Sequence, residues 1–199
     1  HNTAVTSMLE PLMYANLATN SAAYAAGTAA TALPTVWTES LWWNFMVTGG
    51  SGATLVVAFL LLKSKSRQMK TVGKLAVIPA LFNINEPIIF GLPIVLNPLF
   101  LIPFICAQTI NGVAAYLCMD FGLVNRTFVY PGWNIPTPIA QFLATMDWRA
   151  VVLALVLLVV DGLIYYPFLK VWERQKLEEE NAEEGGENAR ESYLFVTPV

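Results

Sequence analysis

An isolated carboxylate lies in the apolar segment FNINEPIIFGLPIVLNPLF, which runs from Phe82 to Phe100. Glu86 is the only charged residue between Leu75 and Met119, and Asn85 and Pro87 flank it. An acidic residue at mid-bilayer costs about 2.5 to 3.5 kcal/mol on insertion scales, and such residues generally face a cavity and serve function. The alternative is a buried acid that backbone donors or a basic side chain satisfy and that is kept for packing. Glu86 is therefore the first candidate for chemistry.

A second acid, Asp161 in LVVDGLIYY, is the only charge between Ala150 and Leu169. The sequence is equally compatible with two roles for Asp161. One is functional, and the other is structural, in which Asp161 caps a kink or pairs with a neighbouring helix. Both alternatives stay open here.

The composition places these acids in a membrane protein. The chain is 56% hydrophobic and 13% charged, with a mean hydropathy of +0.54, whereas a soluble domain is about one quarter charged. Apolar stretches of about 20 residues can cross a bilayer as helices. Because the sequence starts at His1 and shows no signal peptide before its first span, we expect a segment of a longer multi-pass protein.

The charge distribution predicts an orientation. Five of the 11 basic residues lie in KSKSRQMKTVGK, residues 63–74, and KVWERQK follows the last apolar run. Short loops rich in Lys and Arg stay in the cytoplasm, so both segments are predicted to be cytoplasmic. A basic loop is also a weak indication of nucleic-acid binding, but beside such spans topology explains it better. We predict a transmembrane domain over 1–172 and an acidic, disordered cytoplasmic tail over 173–199.

The segment around Glu86 is predicted to be a re-entrant hairpin. Two full spans, LNPLFLIPFICAQTINGVAAYLCMDFGL and WRAVVLALVLLVVDGLIYYPFLKVW, leave LAVIPALFNINEPIIFGLPIV no net crossing to make. Pro87 disfavours helix at the residue before it and suits the first turn of a new helix. Asn83 and Asn85 are expected to bond the loose backbone groups at this break. Broken helices near mid-membrane commonly form transporter substrate sites. The predicted fold class is an all-α, polytopic transmembrane protein with a re-entrant helical hairpin.

Two further motifs predict no cofactor. GGSGATL, residues 49–55, is interpreted as small residues that pack helices closely, and it lacks the GK[ST] of a phosphate-binding loop. Cys106 and Cys118 lie in one apolar span without neighbouring histidines or carboxylates at ligand spacing. Neither a metal site nor a disulfide is predicted, and both cysteines are expected to be buried thiols.

The string NINEPIIFGLPIVLNPLFLIPF closely resembles the signature of the membrane-embedded IIC permease of the phosphoenolpyruvate-dependent sugar phosphotransferase system, in its lactose/cellobiose/diacetylchitobiose branch. GGSGATL, the basic loop and the order of spans also resemble this family, so the similarity covers about residues 1–172. IIC chains of this family are roughly twice as long, and their N-terminal half makes most of the dimer contact. The chain resembles the C-terminal, sugar-binding half.

The resemblance implies a group-translocation function. IIC permeases carry a disaccharide across the bacterial cytoplasmic membrane and present its 6-hydroxyl to the IIB component, whose phosphocysteine, charged through IIA upstream, phosphorylates it. The chain would thus share in a sugar phosphotransferase reaction whose donor cysteine lies on a partner. It would be a homodimer in contact with membrane lipid. A cation-coupled sugar symporter is the alternative, because it would share the carboxylate, the broken helix and the aromatic residues.

The resemblance also implies site residues. In the family, the Glu of the NEP tripeptide, which is Glu86 after Asn85 here, accepts a hydrogen bond from the reacting hydroxyl. His1 corresponds to an essential histidine, although its place at the first residue leaves an accidental match open. Thr38 corresponds loosely to a sugar-contacting position or serves as a helix cap. Trp133 corresponds to a tryptophan over a sugar ring, or it is an interfacial tryptophan of the ordinary kind.

Overall fold

A computed structural model describes residues 2–94 and 97–196, and all regular secondary structure in these ranges is helical. The all-α fold class is therefore confirmed. A 3-10 turn at Ala30–Ala32 and a π-helical turn at Trp42–Met46 accompany the α-helices, which are α1 (Asn2–Ala25), α2 (Glu39–Leu41), α3 (Leu55–Leu62), α4 (Arg67–Leu81), α5 (Glu86–Gly91), α6 (Pro98–Asp120), α7 (Ile139–Thr145) and α8 (Trp148–Val196).

Within residues 2–94 and 97–196, two helices are long and apolar enough to cross a membrane, namely α6 and the Trp148–Glu183 part of α8. They correspond to the two full spans that the sequence predicts. Two residues mark the start of α6. The Asn97 side chain is the N-cap and accepts a hydrogen bond from the Leu99 backbone N–H, and Pro98 occupies the first helical turn. The two helices pack against each other, and the shorter helices pack around them.

Much of the surface of α6 and α8 is apolar, as a lipid-facing surface must be. Exposed examples on the two helices include Ile105, Val113 and Leu163. Cys106 is exposed on this outer surface and Cys118 is half-buried, so the expectation of two buried thiols is wrong for Cys106. In a membrane helix an apolar side chain can face outward without penalty, and hydrophobicity alone therefore does not predict burial.

The tail differs from the sequence prediction, because α8 continues as a helix from Trp148 through Val196. Residues such as Lys, Glu, Gln and Arg favour helix, and the span before them supplies the nucleus that a free peptide would lack. In addition, Glu173 and Glu180 accept hydrogen bonds from the loop that follows α3. The described residues 173–196 thus belong to α8, and the domain boundary at residue 172 and the disorder of the tail stay predictions.

The predicted hairpin around Glu86 corresponds to the end of α4 and to α5, and α3 packs against α4. At about 1.5 Å per residue, the 15 residues of α4 rise about 22 Å and the six of α5 only about 9 Å, less than a bilayer crossing. Gly73 lets α4 approach α3 closely, because a Cβ there would lie 2.8 Å from the Leu61 Cβ. A core around Leu61, Ile88 and Phe100 joins these helices to α6 and α8.

A second core lies around the π-helical turn. Leu41 and Phe45 are fully buried there and pack with Met119 of α6 and Ala150 of α8. The loop of residues 49–54, called the glycine loop below, connects the segment after the π-helical turn to α3.

Candidate functional site

The helix break that carries Glu86 is confirmed. Helix α4 ends at Leu81, and α5 begins at Glu86 with Pro87 in its first turn. Between them, Asn83 has φ +61°, a left-handed conformation that Asn tolerates better than most residues. The chain therefore reverses within four residues and presents Glu86 at the start of the new helix.

Asn83 joins the break to two distant loops. Its Oδ1 accepts a hydrogen bond from the Gly49 backbone N–H at 2.6 Å, and its Nδ2 donates to the Trp133 carbonyl oxygen. The sequence predicted that Asn83 and Asn85 would bond the loose backbone groups at the break. The structure corrects this, since Asn85 makes no side-chain cap on α5.

Asn85 instead holds the glycine loop. Its Nδ2 donates to the Ser51 carbonyl oxygen at 2.7 Å and to the Thr54 Oγ1 at 2.8 Å. The approach requires glycine on the loop, because a Cβ at Gly50 would lie 2.4 Å from the Asn85 Cγ. Gly50 also has φ +97°, which disfavours any other residue.

The opposite side of the glycine loop is fixed by the two long helices. The Gln108 Oε1 of α6 accepts from the Gly52 N–H at 3.0 Å, and the Tyr165 hydroxyl of α8 donates to the Gly52 carbonyl oxygen at 2.6 Å. The interpretation of GGSGATL as a helix-packing stripe is wrong, because these residues form a loop with bound backbone groups. The glycines do serve close approach, because a Cβ at Gly52 would clash with the Phe104 side chain of α6, but they lie in a loop and not on a helix.

A cavity of about 310 Å³ opens between the break, the glycine loop and the π-helical turn. This volume falls within the roughly 300 to 1,000 Å³ of small-molecule sites. Glu86 is its only charged lining residue among those that the structure describes. The Glu86 side chain is solvent-exposed. The described residues that line it are Trp43, Val47, Gly50, Ser51, Asn83, Asn85, Glu86 and Trp133.

Three of the predicted site residues meet at this cavity. Glu86, Asn85 and Trp133 all line it, although they are separated by up to 48 residues in the chain. Trp133 is 48% exposed, so its indole has a free surface, and its carbonyl is bound to Asn83. His1 lies outside the described residues.

Thr38 lies elsewhere, as the N-cap of α2. Its Oγ1 accepts a hydrogen bond from the Leu41 N–H at 3.2 Å and is paired with the Thr127 hydroxyl. Thr38 is fully buried and is not among the described residues that line the cavity. The structure therefore shows the helix-cap role, and the sugar contact stays a prediction.

Several cavity residues were not predicted from the sequence. Trp43 and Ser51 line the cavity, one from the π-helical turn and one from the glycine loop. GGSGATL was a signal for Ser51, because consecutive glycines predict unusual backbone and exposed peptide groups. No comparable signal distinguishes Trp43 from its neighbour Trp42.

A second carboxylate, Glu39, also went unnoticed in the sequence analysis. It is buried at 4% exposure in α2 and accepts a hydrogen bond from the Tyr14 hydroxyl of α1. Burial raises the pKa of Glu39 above its ordinary value, although the Tyr14 hydrogen bond opposes this shift. Glu39 thus joins α1 to α2.

The second intramembrane acid, Asp161, has a structural environment. Its Oδ2 accepts hydrogen bonds from the Asn111 Nδ2 of α6 at 3.0 Å and from the Thr48 Oγ1 at 3.3 Å. Asp161 is fully buried and does not line the cavity. The structure thus pairs Asp161 with a neighbouring helix, and a functional role for this acid stays a prediction.

A helical membrane protein with a broken hairpin and a single carboxylate in the resulting cavity has the architecture of membrane transport proteins. Comparison with known proteins makes this class specific. The family described as "Phosphotransferase system, EIIC" matches residues 1–107. The chain belongs to this EIIC family of sugar permease components.

Named relatives agree with this assignment. The chain is 43% identical over 183 residues to the putative permease IIC component YwbA of Bacillus subtilis, covering 90% of this chain and 40% of that protein. It is 42% identical over 181 residues to the lactose-specific EIICB component of Staphylococcus haemolyticus, covering 87% of this chain and 30% of that protein.

A solved structure has the same fold. The crystal structure of ChbC, the IIC component of the N,N′-diacetylchitobiose-specific phosphotransferase system, matches with a TM-score of 0.87 at 36% identity. The match covers 90% of this chain and 42% of ChbC. The chain therefore spans less than half the length of the relatives that it matches.

Proposed function

We propose that the protein of which this chain is part carries a disaccharide across the bacterial cytoplasmic membrane and presents its 6-hydroxyl for phosphorylation. The observation that carries the proposal is Glu86, the one charged residue among the described residues of a cavity at a helix break. A carboxylate can accept a hydrogen bond from a sugar hydroxyl, and the surrounding amides of Asn83 and Asn85 are held in fixed positions by the glycine loop.

Glu86 orients the reacting oxygen and accepts its proton. In this step the oxygen of the 6-hydroxyl forms a bond to phosphorus while the S–P bond of the phosphocysteine breaks. The proton passes to the Glu86 carboxylate, and the cysteine of the IIB component leaves as a thiolate. General-base assistance of this kind contributes about 10² to 10⁴ in rate. His1, which the family resemblance places in the site, would be the second polar group at this hydroxyl.

Trp133 provides an apolar face for a pyranose ring. Its 48% exposed indole lies at the cavity, and its backbone carbonyl is fixed to Asn83. Pyranose rings have apolar C–H faces that pack on aromatic rings. Thr38 acts behind this wall, because its bonds to Leu41 and Thr127 connect α2 to the loop that carries Trp133.

The partners follow from the same proposal. The IIB component supplies the phosphoryl group and receives it from IIA, and relatives named EIICB carry a B component in one protein with the C component. The full-length permease is expected to be a homodimer, as the family resemblance implies. Most of the dimer contact is expected in the half that this chain does not cover. Annular lipid covers the apolar faces of α6 and α8.

A binding and product assay tests the proposal. Relatives are named for lactose and for lichenan, and the solved neighbour for N,N′-diacetylchitobiose, so the full-length protein should be titrated with lactose, cellobiose and diacetylchitobiose. We expect one of these sugars to bind and, in vesicles with phosphorylated IIB, to appear inside as its 6-phosphate. Accumulation of the unmodified sugar along a proton or sodium gradient would instead establish the symporter alternative.

A further inference from the structure

A second cavity, of about 200 Å³, lies between the end of α3 and the middle of α8, and it shares no lining residue with the cavity at the helix break. Its lining combines apolar side chains with two lysines and a few polar groups. The residues concerned are Leu60, Leu61, Lys63, Ser64, Met69, Tyr166, Leu169, Lys170 and Glu173.

The position of this cavity along both helices matches the edge of the bilayer. The apolar helix α3, LVVAFLLL, ends at Leu62, and Lys63 follows directly. The apolar run of α8 continues to Leu169, and Lys170 follows directly. Both lysines line the same cavity, so the two helices change from apolar to charged at one depth. That depth is where hydrocarbon meets lipid headgroups, and the basic residues indicate the cytoplasmic leaflet.

The walls and the rim of the cavity have different chemistry. Leu60, Leu61 and Leu169 give the cavity an apolar lining, whereas Lys63 and Lys170 are the exposed charged residues that line it, and we refer to these two lysines as its rim. Tyr166 is 52% exposed, and the Lys170 Nζ lies 5.7 Å from the centroid of its ring. Tyrosine at the boundary of a membrane helix typically lies at headgroup level.

The positive charge of the rim is available to a ligand. Glu173 lines the cavity too, but its carboxylate is occupied, because it accepts hydrogen bonds from the Ser64 Oγ at 2.6 Å, the Lys65 N–H at 2.6 Å and the Lys170 Nζ at 2.6 Å. No carboxylate lies within ion-pair distance of Lys63 in the described part of the chain. Lys63 is exposed, and the Lys170 side chain is 48% exposed despite its ion pair.

We propose that this cavity binds an anionic phospholipid of the cytoplasmic leaflet. The phosphate lies between Lys63 and Lys170, and the start of an acyl chain lies along Leu60, Leu61 and Leu169. Basic pockets between membrane helices at the cytoplasmic side bind anionic headgroups, and each basic residue near such a surface contributes about 1 kcal/mol. The proposal does not depend on the sugar site, which lies on other residues.

The main competing explanation is attraction of the whole basic loop to a negative membrane surface. This explanation needs no cavity, and it treats every exposed lysine of the loop alike. Lys65 is the matched control, because it is exposed, lies two residues from Lys63 and does not line the cavity. Its side chain also makes no ion pair within the described residues.

The test measures lipid binding to the full-length protein in detergent by native mass spectrometry. Phosphatidylglycerol, phosphatidylcholine and inorganic phosphate are titrated separately against the wild type, Lys63→Gln and Lys65→Gln. We expect phosphatidylglycerol to bind the wild type more tightly than phosphatidylcholine. Lys63→Gln should weaken the binding of phosphatidylglycerol about fivefold, and Lys65→Gln should leave it within twofold.

Three results would overturn the proposal. Equal losses in Lys63→Gln and Lys65→Gln would establish general surface attraction. Equal affinity for the two lipids would show that the headgroup charge does not contribute to binding. Inorganic phosphate that binds as tightly as phosphatidylglycerol would establish a site for soluble anions. Sugar binding, measured on the same variants, is expected to be unchanged, so failure here and failure of the transport proposal are distinguishable.

Discussion

Glu86 and Asp161 are both single acids in apolar helices, yet the structure gives them opposite environments. Glu86 starts a new helix at a break and faces a cavity with no other charged residue among those described. Asp161 lies within the continuous helix α8, fully buried, with two hydrogen-bond donors on its Oδ2. An acid in a membrane helix is therefore not functional by virtue of its charge alone. The backbone around it decides whether a ligand can reach it.

The largest expected difference is in sugar transport. Glu86→Ala removes the one carboxylate among the described residues of the cavity, and we expect uptake by the full-length protein to fall at least 100-fold, in line with the loss of an acid–base group. Asp161→Asn keeps an oxygen that can accept from Thr48 and Asn111, so uptake should stay within about threefold. Uptake of labelled disaccharide in cells measures both. Equal losses in the two variants would remove the distinction between the acids.

The reverse difference is expected in stability. Asp161→Leu leaves the Asn111 amide and the Thr48 hydroxyl buried without their acceptor, which costs about 1 to 3 kcal/mol. Glu86→Leu at the exposed cavity mouth should change stability by less than about 0.5 kcal/mol. Thermal unfolding in detergent, followed by tryptophan fluorescence, measures the difference. A larger destabilisation from Glu86→Leu would contradict the environments described here.

A smaller effect is expected from the glycine loop. Gly50→Ala would place a Cβ 2.4 Å from the Asn85 Cγ and displace the amide that holds the cavity wall. We expect sugar affinity to fall about tenfold, which corresponds to about 1.4 kcal/mol. Gly27→Ala is the control, because Gly27 has a similar φ of +94° but no atom within 4 Å of the added Cβ. If both variants bind sugar equally, the clash with Asn85 has no functional consequence.

The smallest effect is expected at Trp133. Trp133→Ala removes an aromatic face from the cavity, and the loss should weaken sugar binding about fivefold, in the range of one aromatic contact. Trp148→Ala is the matched control, since Trp148 is 68% exposed at the start of α8 and does not line the cavity. Isothermal titration with the sugar measures both. An unchanged sugar affinity in Trp133→Ala would contradict the stacking of Trp133 on the sugar and would leave the interpretation of Trp133 as an interfacial tryptophan.

The sequence was sufficient for features with a local physical cause. The long gaps between charges predicted α6 and the span of α8, because hydrocarbon excludes unpaired charge along a whole segment. Pro87 predicted the break before α5, because proline constrains the residue that precedes it. Glu86 and Trp133 were both predicted and both line the cavity. Their functional roles remain predictions that the experiments above test.

Features that depend on distant partners were beyond the sequence. Asn83 bonds Gly49, 34 residues earlier, and Tyr165 bonds Gly52, 113 residues earlier. No local pattern specifies such partners, which is why the glycine loop was interpreted as a helix-packing stripe. The helical continuation after residue 172 was missed for a similar reason, because Glu173 and Glu180 gain their donors from the loop after α3.

The central claim concerns the proton of the sugar hydroxyl, and Glu86→Gln tests it most directly. A glutamine at this position still accepts a hydrogen bond from the hydroxyl but cannot take its proton. In the full-length protein, we expect the dissociation constant for the sugar to change less than about threefold and the rate of phosphorylation by IIB to fall at least 100-fold. A rate of phosphorylation equal to that of the wild type would contradict the role of Glu86 as proton acceptor.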